Sequence, residues 1–321
     1  MPVVSVVMPA YNAAQYIEAA IDSALRQTFA DFELIIVDDG SADTTALIAE
    51  AARVRDPRVR VIRQANSGVS RARNAALAVA RGRYIALLDS DDLWEPGFLQ
   101  AQVAILDSQP HIAVVTANAF MLGGPRDGQP VYPCPDPRPQ PTTAHIIADE
   151  NAIFIMCVFR RAVYDAVGGL DESKATNEDY DYWLRISHAG FRFLRNDRPL
   201  GRYRWRPDSL SANEARMLRG ILVVLNEHRP RVQPGSEEAV ALERQVGRFE
   251  TELLASEARA ALETGDYSAA ARHLDALGAR RPAMALSIAR LMARRAPGVL
   301  AWLYRARRAH LARAARRRAV A

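Results

Sequence analysis

The chain has 321 residues, which is enough for one large domain and a smaller second one. Its two cysteines, Cys134 and Cys157, exclude a disulfide framework and a cysteine-based metal site. No apolar run approaches the length of a membrane-spanning helix, and the N-terminal segment lacks the basic region of a signal peptide. These features favour a cytoplasmic protein.

The net charge of +5 conceals an uneven distribution along the chain. Residues 1–211 carry 22 basic and 26 acidic side chains, a net charge of −4. Residues 212–321 carry 20 basic and 11 acidic side chains, a net charge of +9, and no carboxylate side chain follows Asp275. The candidate site residues all lie in the acidic part, so the function of the basic part has to be considered separately.

Strand-like and helix-like segments alternate over the first 120 residues. Apolar, β-branched runs predict strands at 3–8, 33–37, 59–62, 84–88 and 112–116. Helices are predicted between them, the first capped by Asn12 and running to about Gln27. This alternation indicates an α/β fold with a mainly parallel sheet, in which ligands bind beyond the carboxyl ends of the strands.

The second half of the chain predicts a different organisation. A Pro- and Gly-rich loop at 123–141 is followed by a short helix at 178–189 and by two strands near 191–195 and 199–205. From Asn213 onwards the sequence is rich in Ala, Leu and Arg and predicts helices, two of them joined at Gly265-Asp266. We therefore expect an α/β domain at 1–211 and a helical region at 212–321.

Three carboxylates directly follow the apolar run from Tyr84 to Leu88. Asp89, Asp91 and Asp92 would be costly to leave without a counter-ion, and Mg²⁺ and Mn²⁺ prefer such oxygen ligands. A metal held by one or two carboxylates completes its shell with water and substrate phosphates. An Asp-x-Asp pair is often only a surface turn, but its position after a buried strand favours a metal–diphosphate site.

Two further motifs close the first two strands. Tyr11, in the segment from Pro9 to Asn12, could stack on a nucleobase, although a strand-to-helix turn with a capping Asn is the favoured interpretation of this segment taken alone. Asp39 could accept a hydrogen bond from a base or a ribose. The alternative is a helix-capping turn with Gly40 at positive φ.

Charged clusters occur at two more places. Arg71 or Arg73 could reach a diphosphate through charge-assisted hydrogen bonds, although paired arginines are more often a solvated helix face. Glu178, Asp179 and Asp181 crowd one short segment, where mutual repulsion would raise at least one pKa and suit it to general-base chemistry. The alternative is an acidic helix N-terminus favoured by the helix dipole.

Taken together, these motifs resemble glycosyltransferase family 2, the inverting sugar transferases with the GT-A fold. The resemblance covers roughly residues 3–211 and implies a Rossmann-like, mixed but mainly parallel sheet flanked by helices, here with a helical C-terminal extension. The matching stretches are residues 5–12, 33–41, 66–74, 89–92, 168–172 and 178–184.

The resemblance implies a nucleotide-sugar donor, with a UDP-sugar expected. It assigns Pro9, Tyr11, Asn12 and Asp39 to the nucleotide, whose base is usually uracil or thymine in this family. It also makes Arg71 a contact of the diphosphate or the base.

The resemblance assigns the remaining roles to acidic residues and one tryptophan. Asp91 would coordinate a divalent metal, Mg²⁺ or Mn²⁺, and Asp89 would contact the ribose or the metal shell. Asp179 would be the catalytic base, with Glu178 beside it in the catalytic site. Trp183 would form a wall of the acceptor pocket.

The sequence departs from the family pattern at Arg206. Family members often carry a histidine at this position, where it helps with the metal or the diphosphate. A protonated arginine cannot ligate a cation, but it could bind the diphosphate directly. We therefore predict a donor-binding role for Arg206 and leave a histidine ligand out of the expected site.

The expected reaction is a single displacement onto a hydroxyl of a saccharide or lipid-linked acceptor, in bacterial surface polysaccharide or glycolipid synthesis. One alternative is a non-catalytic nucleotide-sugar-binding or scaffold protein, which the presence of both carboxylate clusters argues against. The other is nucleic-acid binding through the Arg-rich tail. We expect no nucleic-acid binding, since the tail lacks aromatic residues interleaved with its arginines on which bases could stack.

The tail at 298–321 combines many arginines with several leucines and aromatic residues. A solvated or self-packed helix is the default interpretation. The sharper hypothesis is peripheral contact with anionic lipid at the cytoplasmic membrane face.

Overall fold

The computed structural model describes residues 1–206, 213–280 and 284–306. The predicted domain boundary at 211/212 and the part of the tail at 307–321 lie outside the described residues. Within them, eight strands form one sheet. The strands are β1 Val4–Ala10, β2 Phe32–Asp38, β3 Val59–Arg63, β4 Tyr84–Leu87, β5 Leu93–Trp94, β6 Ile112–Leu122, β7 Cys157–Arg160 and β8 Arg192–Arg204.

Helices flank the sheet and make up the C-terminal part of the described chain. Those of the first part are α1 Ile17–Leu25, α2 Thr45–Arg55, α3 Val69–Val79, α4 Phe98–Ser108, α5 Thr143–Ala148, α6 Arg161–Val167 and α7 Glu178–His188. They are followed by α8 Glu214–His228, α9 Glu237–Thr264, α10 Tyr267–Arg280, α11 Met284–Arg295 and α12 at residues 297–306.

The sheet has the order β3-β2-β1-β4-β7-β6-β8-β5. Strands β3, β2, β1 and β4 run parallel, and β7 then pairs antiparallel with both β4 and β6. The predicted mixed, mainly parallel sheet is thus observed. Because parallel strands end at the same edge, the residues after Ala10, Asp38 and Leu87 are brought to one edge of the sheet.

The core of this part lies on the sheet and beneath the flanking helices. Val4, Val6 and Met8 of β1 are completely buried, as expected for the interior of a parallel sheet covered on both faces. A buried polar contact crosses the same sheet, where the Ser5 hydroxyl donates to Glu33 Oε1 over 2.7 Å. Glu33 also binds the Arg81 guanidinium at 2.8 Å, so its charge is compensated.

The two strands predicted near 191–195 and 199–205 are one strand, and that prediction was wrong. β8 pairs in parallel with β6 along its whole length, with register shifts around Asn118. The segment from Asn196 to Pro199 has the composition of a turn. The extra residues Asp197 and Arg198 of β8 are accommodated by a register shift against Ala117 and Asn118 of β6, as in a β-bulge, and the strand continues.

Asn12 does not cap α1, which begins only at Ile17. Asn12 lies in the left-handed region with φ of 46°. Its Oδ1 accepts from the Ala42 amide at 2.9 Å, and its own amide donates to the Ser41 hydroxyl at 3.0 Å. Asn12 therefore ties the loop after β1 to the loop after β2.

The chain divides into two compact units. The first consists of Met1–Ser209 and His228–Ala241, and the second of Leu210–Glu227 and Leu242–Ala321. In the second unit α9 and α10 join at Gly265 and Asp266, as the sequence predicts. Buried apolar residues, among them Ala258, Leu274 and Ala293, form part of its core. Across the described residues, we find no helix with the length and apolar character needed to cross a membrane.

Candidate active site

Asp39, at the end of β2, is held by the chain itself. It is buried, and its Oδ1 accepts from the Gln64 side chain at 2.7 Å and from the Ser67 amide at 3.0 Å. Its Oδ2 accepts from the Gly68 amide at 2.8 Å. A carboxylate offers about four lone-pair sites. Three are used here, so the Asp39 carboxylate is fixed in orientation and keeps acceptor capacity for a ligand.

The other residues predicted for the nucleotide lie at the same edge. Pro9 is the next-to-last residue of β1 and pairs with Val37 of β2. Tyr11 follows β1 and is 52% exposed, so its ring is accessible for stacking. The structure thus brings Pro9, Tyr11, Asn12 and Asp39 together around the carboxyl ends of β1 and β2, and their binding roles remain predictions.

The three carboxylates after β4 have different environments. Asp89 Oδ1 lies 2.7 Å from the guanidinium of Arg73. Asp91 Oδ2 lies 3.2 Å from the guanidinium of Arg206. Asp92 is completely buried and accepts from the Arg204 amide at 2.8 Å.

The charge of this cluster is only partly compensated. Burial, together with the neighbouring Asp89, raises the pKa of Asp91, although the Arg206 guanidinium opposes the rise. Burial also raises the pKa of Asp92 well above its usual range, with further contributions from Asp91 and Asp89. Among the residues that the structure describes, the buried Oδ2 atom of Asp92 has no hydrogen-bond partner. An excess of buried carboxylate charge is what a bound cation relieves.

The donor set fits a hard divalent cation that also binds a ligand. Asp89 and Asp91 each carry carboxylate oxygens of the kind that Mg²⁺ and Mn²⁺ prefer. In the portion of the chain that the structure describes, no three or more His, Cys, Asp or Glu side chains are arranged to hold a metal by themselves. A metal here would therefore need further oxygen ligands from water or from a diphosphate.

Arg206 lies beside this cluster. Besides its contact with Asp91, its guanidinium lies 5.0 Å from the ring centre of Tyr16. The Arg204 guanidinium packs on the same ring at 4.8 Å, and its Nε donates to the Asp91 carbonyl oxygen at 2.8 Å. Tyr16 thus supports two arginines next to the Asp91 carboxylate.

Arg73 connects the two acidic clusters, a feature that sequence reasoning missed. Its guanidinium binds Asp89 Oδ1 through one nitrogen and Glu178 Oε1 through another, each at 2.7 Å, and its side chain is 4% exposed. Arg71, the arginine favoured from the sequence, is 57% exposed and binds Glu172 at 2.8 Å. Arg71 stays a predicted donor contact.

A signal for Arg73 was present in the helical periodicity. Positions 73, 76 and 77 lie on one face of α3, and Ala76 and Leu77 are apolar. The face that carries Ala76 and Leu77 is buried, so Arg73 points into the protein. A buried arginine requires anionic partners, which here are Asp89 and Glu178.

The three acids at the start of α7 are separated by their partners. Glu178 binds Arg73. Burial disfavours the charged form of Asp181, but hydrogen bonds from His228 and Arg185 outweigh it and lower its pKa. At Asp179, burial, reinforced by the charge of Glu178, raises the pKa to about 7. Its Oδ1 accepts only a hydrogen bond from the adjacent Tyr180 amide, at 2.8 Å, among the contacts of the described residues.

Asp179 therefore has the properties of a general base at neutral pH. A pKa near the working pH gives a group that is sufficiently deprotonated and still a strong proton acceptor. Asp181 is instead a structural anion, whose Oδ1 lies 3.0 Å from His228 Nε2.

Trp183 is 1% exposed. Its ring packs against Tyr182, with ring centres 5.6 Å apart, and edge-on against Phe193 at 6.4 Å. In this structure the ring belongs to the core, and its contact with an acceptor remains a prediction.

Comparison with known proteins matches residues 5–168, just over half of the chain, to the family described as "Glycosyl transferase family 2". The chondroitin synthase of Pasteurella multocida is 34% identical over 194 residues, 59% of this chain and 19% of the relative. The Bacillus subtilis protein named "Putative teichuronic acid biosynthesis glycosyltransferase TuaG" is 33% identical over 218 residues, 66% of this chain and 83% of the relative.

The first curated relatives are much longer than the matched segment. The chain covers 19% of the Pasteurella chondroitin synthase and 27% of the chondroitin synthase of Escherichia coli.

Solved structures resemble the chain in fold. The S. aureus TarS fragment 1–349 has a TM-score of 0.59 at 23% identity, covering 80% of this chain and 72% of that one. The mannosyltransferase PcManGT from Pyrobaculum calidifontis, in complex with GDP-Man and Mn²⁺, has a TM-score of 0.64 at 20% identity, covering 95% and 82%. The TarS fragment has also been solved with UDP and with UDP-GlcNAc.

Proposed function

This chain belongs to glycosyltransferase family 2, and we propose that it is an inverting transferase that moves a sugar from a nucleotide-diphospho-sugar to an acceptor hydroxyl. It is a glycosyltransferase with the GT-A fold, as the sequence resemblance implies. The observation that carries the finer proposal is the environment of Asp179. This carboxyl has a pKa of about 7 and lies beside Glu178, which Arg73 links to the Asp89 cluster.

In the proposed reaction, Asp179 takes the proton of an acceptor hydroxyl as its oxygen attacks the anomeric carbon of the donor sugar. A bond forms between that carbon and the acceptor oxygen, and the bond to the diphosphate oxygen breaks. The electron pair leaves with the nucleoside diphosphate. Because the displacement is single and uses no nucleophile of the protein, the anomeric configuration inverts.

The donor is proposed to bind at the carboxyl ends of β1, β2 and β4. Tyr11 stacks on the base, and Asp39 accepts a base N–H with the capacity left by its three internal hydrogen bonds. Arg206 binds the diphosphate by charge-assisted hydrogen bonds. Arg71, exposed at the start of α3, is a second diphosphate or base contact.

A divalent metal, Mg²⁺ or Mn²⁺, is proposed at Asp91, with Asp89 in support. When bound, it supplies Lewis-acid stabilisation of the leaving diphosphate. The uncompensated charge of Asp91 and Asp92 and the Mn²⁺ in the PcManGT complex support this proposal. Arg73 keeps Asp89 oriented toward this edge of the sheet.

UDP-sugars are the proposed donors, because TarS has been solved with UDP and UDP-GlcNAc. The acceptor is proposed to be a saccharide or a lipid-linked saccharide, in bacterial surface polysaccharide or glycolipid synthesis. Relatives named for chondroitin and teichuronic acid biosynthesis support this class. A cytoplasmic location is part of the same proposal.

The test is a panel of UDP-, GDP- and dTDP-sugars, in which release of nucleoside diphosphate is measured with and without candidate acceptors. We expect turnover with a UDP-sugar in the presence of Mn²⁺ or Mg²⁺. Asp179→Asn should lower the transfer rate by about 10²–10⁴-fold while donor binding is retained. Near-normal transfer by this variant would contradict the assignment of Asp179. Donor binding without turnover by the unmodified chain would favour the scaffold alternative.

A further inference from the structure

The outer faces of α11 and α12 carry large apolar side chains that are about half or more exposed. On α11, Met284, Ile288 and Leu291 are 81%, 54% and 61% exposed. On α12, Trp302 is 62% exposed, and Val299 and Leu303 are 51% and 45% exposed. We name these six side chains the outer apolar residues.

Helical spacing explains why these residues face outward together. Positions 284, 288 and 291 are four and three residues apart and lie on one face of α11. The opposite face, with Leu286, Ala289 and Ala293, packs into the core of the second unit. α12 is arranged in the same way: its Ala301 is completely buried. Each helix therefore has an inner apolar face and an outer one.

A shallow apolar groove lies next to α12. Its volume is about 330 Å³, and its lining includes Leu262 and Leu274 as well as Leu300, Leu303 and Tyr304. Leu303 belongs both to the groove and to the outer apolar residues. The exposed apolar surface therefore continues from the outside of α12 into the unit.

The charge around this surface is mainly basic, although Glu263 lies beside Tyr304 of α12. Twelve arginines and no carboxylate side chain follow Asp275 in the sequence. Asp275 itself is shared between Arg290, at 2.9 Å, and Arg294. Arg295 and Arg305, at the C-terminal ends of α11 and α12, are exposed. A partner for this face must offer hydrocarbon and negative charge together.

We propose that the second unit docks on an anionic lipid membrane through the outer apolar residues of α11 and α12, with the flanking arginines at the headgroups. A basic amphipathic surface that includes an exposed tryptophan is typical of helices that lie in the membrane interface. A second copy of the same face would place arginine against arginine. Nucleic acid would leave the aliphatic side chains without partners, since Trp302 is the one aromatic ring among the six outer apolar residues.

This proposal goes beyond glycosyl transfer and includes the described part of the predicted tail contact. It adds α11, which the sequence prediction for 298–321 did not include. The contact needs no donor, metal or acceptor, so its test is independent of the proposed function.

The experiment is vesicle flotation with the full chain, using phosphatidylcholine vesicles with and without phosphatidylglycerol. We expect binding to the anionic vesicles, weaker binding to the neutral ones, and a marked loss in high salt. The triple variant Ile288→Ser, Leu291→Ser, Trp302→Ser should lower the fraction bound by about tenfold or more. A matched control, Leu47→Ser with Val54→Ser, removes side chains that are 69% and 82% exposed in the first unit and should bind as the unmodified chain does.

A second measurement keeps the proposal testable if the triple variant folds poorly by circular dichroism. Brominated anionic lipids should quench the tryptophan fluorescence of the unmodified chain, and Trp302→Phe should remove most of that quenching. The proposal is overturned if anionic vesicles do not float the chain, or if the triple variant and its control bind equally. It is also overturned if the triple variant only dissociates a dimer, or if the chain binds RNA or DNA and no vesicles.

Discussion

Asp179 and Asp181 lie two residues apart on α7, yet their pKa values are shifted in opposite directions. Asp181 accepts from both His228 and Arg185, and its pKa falls. Asp179 is desolvated beside Glu178, and its pKa rises to about 7. The physical difference is the partner, because an opposite charge favours ionisation, whereas burial and a like charge oppose it. This difference is the reason why we propose Asp179, and not Asp181, as the base.

The pH dependence of transfer should follow Asp179. A base must be deprotonated, so kcat/KM should fall about tenfold for each pH unit well below 7 and level off above it. The measurement is the initial rate with saturating metal between pH 5 and pH 9. Points about one pH unit apart are sufficient to locate the change of slope in the profile. A rate that is constant from pH 5 to pH 7 would contradict the assignment.

The raised pKa of Asp179 should also cost stability. The folded-state pKa of about 7 exceeds the ordinary value of 3.8, so the folded chain binds this proton more tightly than the unfolded chain does. Its contribution to stability is present below pH 3.8 and is lost as the pH rises through about 7. Asp179→Asn keeps an acceptor for the Tyr180 amide and should be about 1–3 kcal/mol more stable at pH 8 than the unmodified chain.

Urea unfolding at pH 4 and pH 8 measures this effect, since the gain should nearly vanish at the lower pH. Asp181→Asn is the matched control. It removes the charge that His228 and Arg185 share and should be destabilised at pH 8. A loss of stability in Asp179→Asn at pH 8 would argue that its carboxylate is paired in the folded protein.

Arg73 and Arg71 should give different phenotypes. Arg73→Met leaves Asp89 and Glu178 without their shared cation and should destabilise the chain by about 3–5 kcal/mol, with loss of transfer. Arg71→Met removes an exposed ion pair with Glu172 and should cost less than about 1 kcal/mol. If Arg71 contacts the donor, its variant should raise the donor KM without a change in unfolding.

Arg73→Lys tests whether Arg73 positions the carboxylates of Asp89 and Glu178 for transfer or only keeps the chain folded. A lysine keeps the buried charge but lacks the planar fork that reaches two carboxylates at once. We expect Arg73→Lys to recover most of the stability lost in Arg73→Met while kcat stays low. Equal recovery of stability and kcat would show that only the charge matters.

At the scale of elements, local pattern predicted most of the catalytic half of the fold. Runs of β-branched residues located β1 to β4, and helical spacing located α3 and α7. The position of Pro199 in β8 could not be predicted, because it depends on a register shift between β8 and β6, which lies far away in sequence. The partners of Asp39 are likewise long-range, since they come from the loop that follows β3.

The candidate site was predictable as residue types but not as a network. The carboxylates of Asp89 to Asp92 and of α7 stand out in the sequence because each cluster begins at an element boundary. The contact that joins them, through Arg73, spans 105 residues between α3 and Glu178. Such a contact has no local signature beyond the buried face on which Arg73 lies.

Gly169 lies where the segment between α6 and α7 packs against Asn74 of α3. A Cβ at this position would lie 2.2 Å from Asn74 Oδ1, and that oxygen accepts from the Leu170 amide at 2.8 Å. Gly169→Ala should therefore displace Asn74 and destabilise the chain by about 1–3 kcal/mol, as overpacking does. Gly168→Ala is a useful comparison, because Gly168 has open space around it but φ of 75° and ψ of −163°, a combination almost restricted to glycine.

Thermal unfolding of the two variants measures both costs. At Gly168 the cost comes from backbone strain and not from a clash, so Gly168→Ala should also destabilise the chain by about 1–3 kcal/mol. If Gly169→Ala is as stable as the unmodified chain, Asn74 does not hold the segment after Gly169 in the way the hydrogen bonds indicate.

At the scale of the whole molecule, the two compact units have separate tasks in these proposals. All the residues proposed to bind the donor, the metal and the acceptor proton lie in the first unit, whereas the outer apolar residues lie in the second. The distribution of charge agrees with this division. The acidic part concentrates carboxylates around a proposed cation, and the basic part offers arginines to a proposed anionic surface.

Donor binding should therefore stabilise the first unit and depend on a divalent metal. A ligand at 100 times its dissociation constant stabilises the folded state by about 2.7 kcal/mol. We expect UDP with Mn²⁺ to raise the unfolding temperature of the first unit, and UDP with a chelator to raise it much less. Asp91→Asn should remove the metal dependence, whereas the control Leu47→Ser, on the exposed surface of the first unit, should keep it. An equal shift by UDP with metal and with chelator would show that Arg206 and its neighbours hold the diphosphate without the metal.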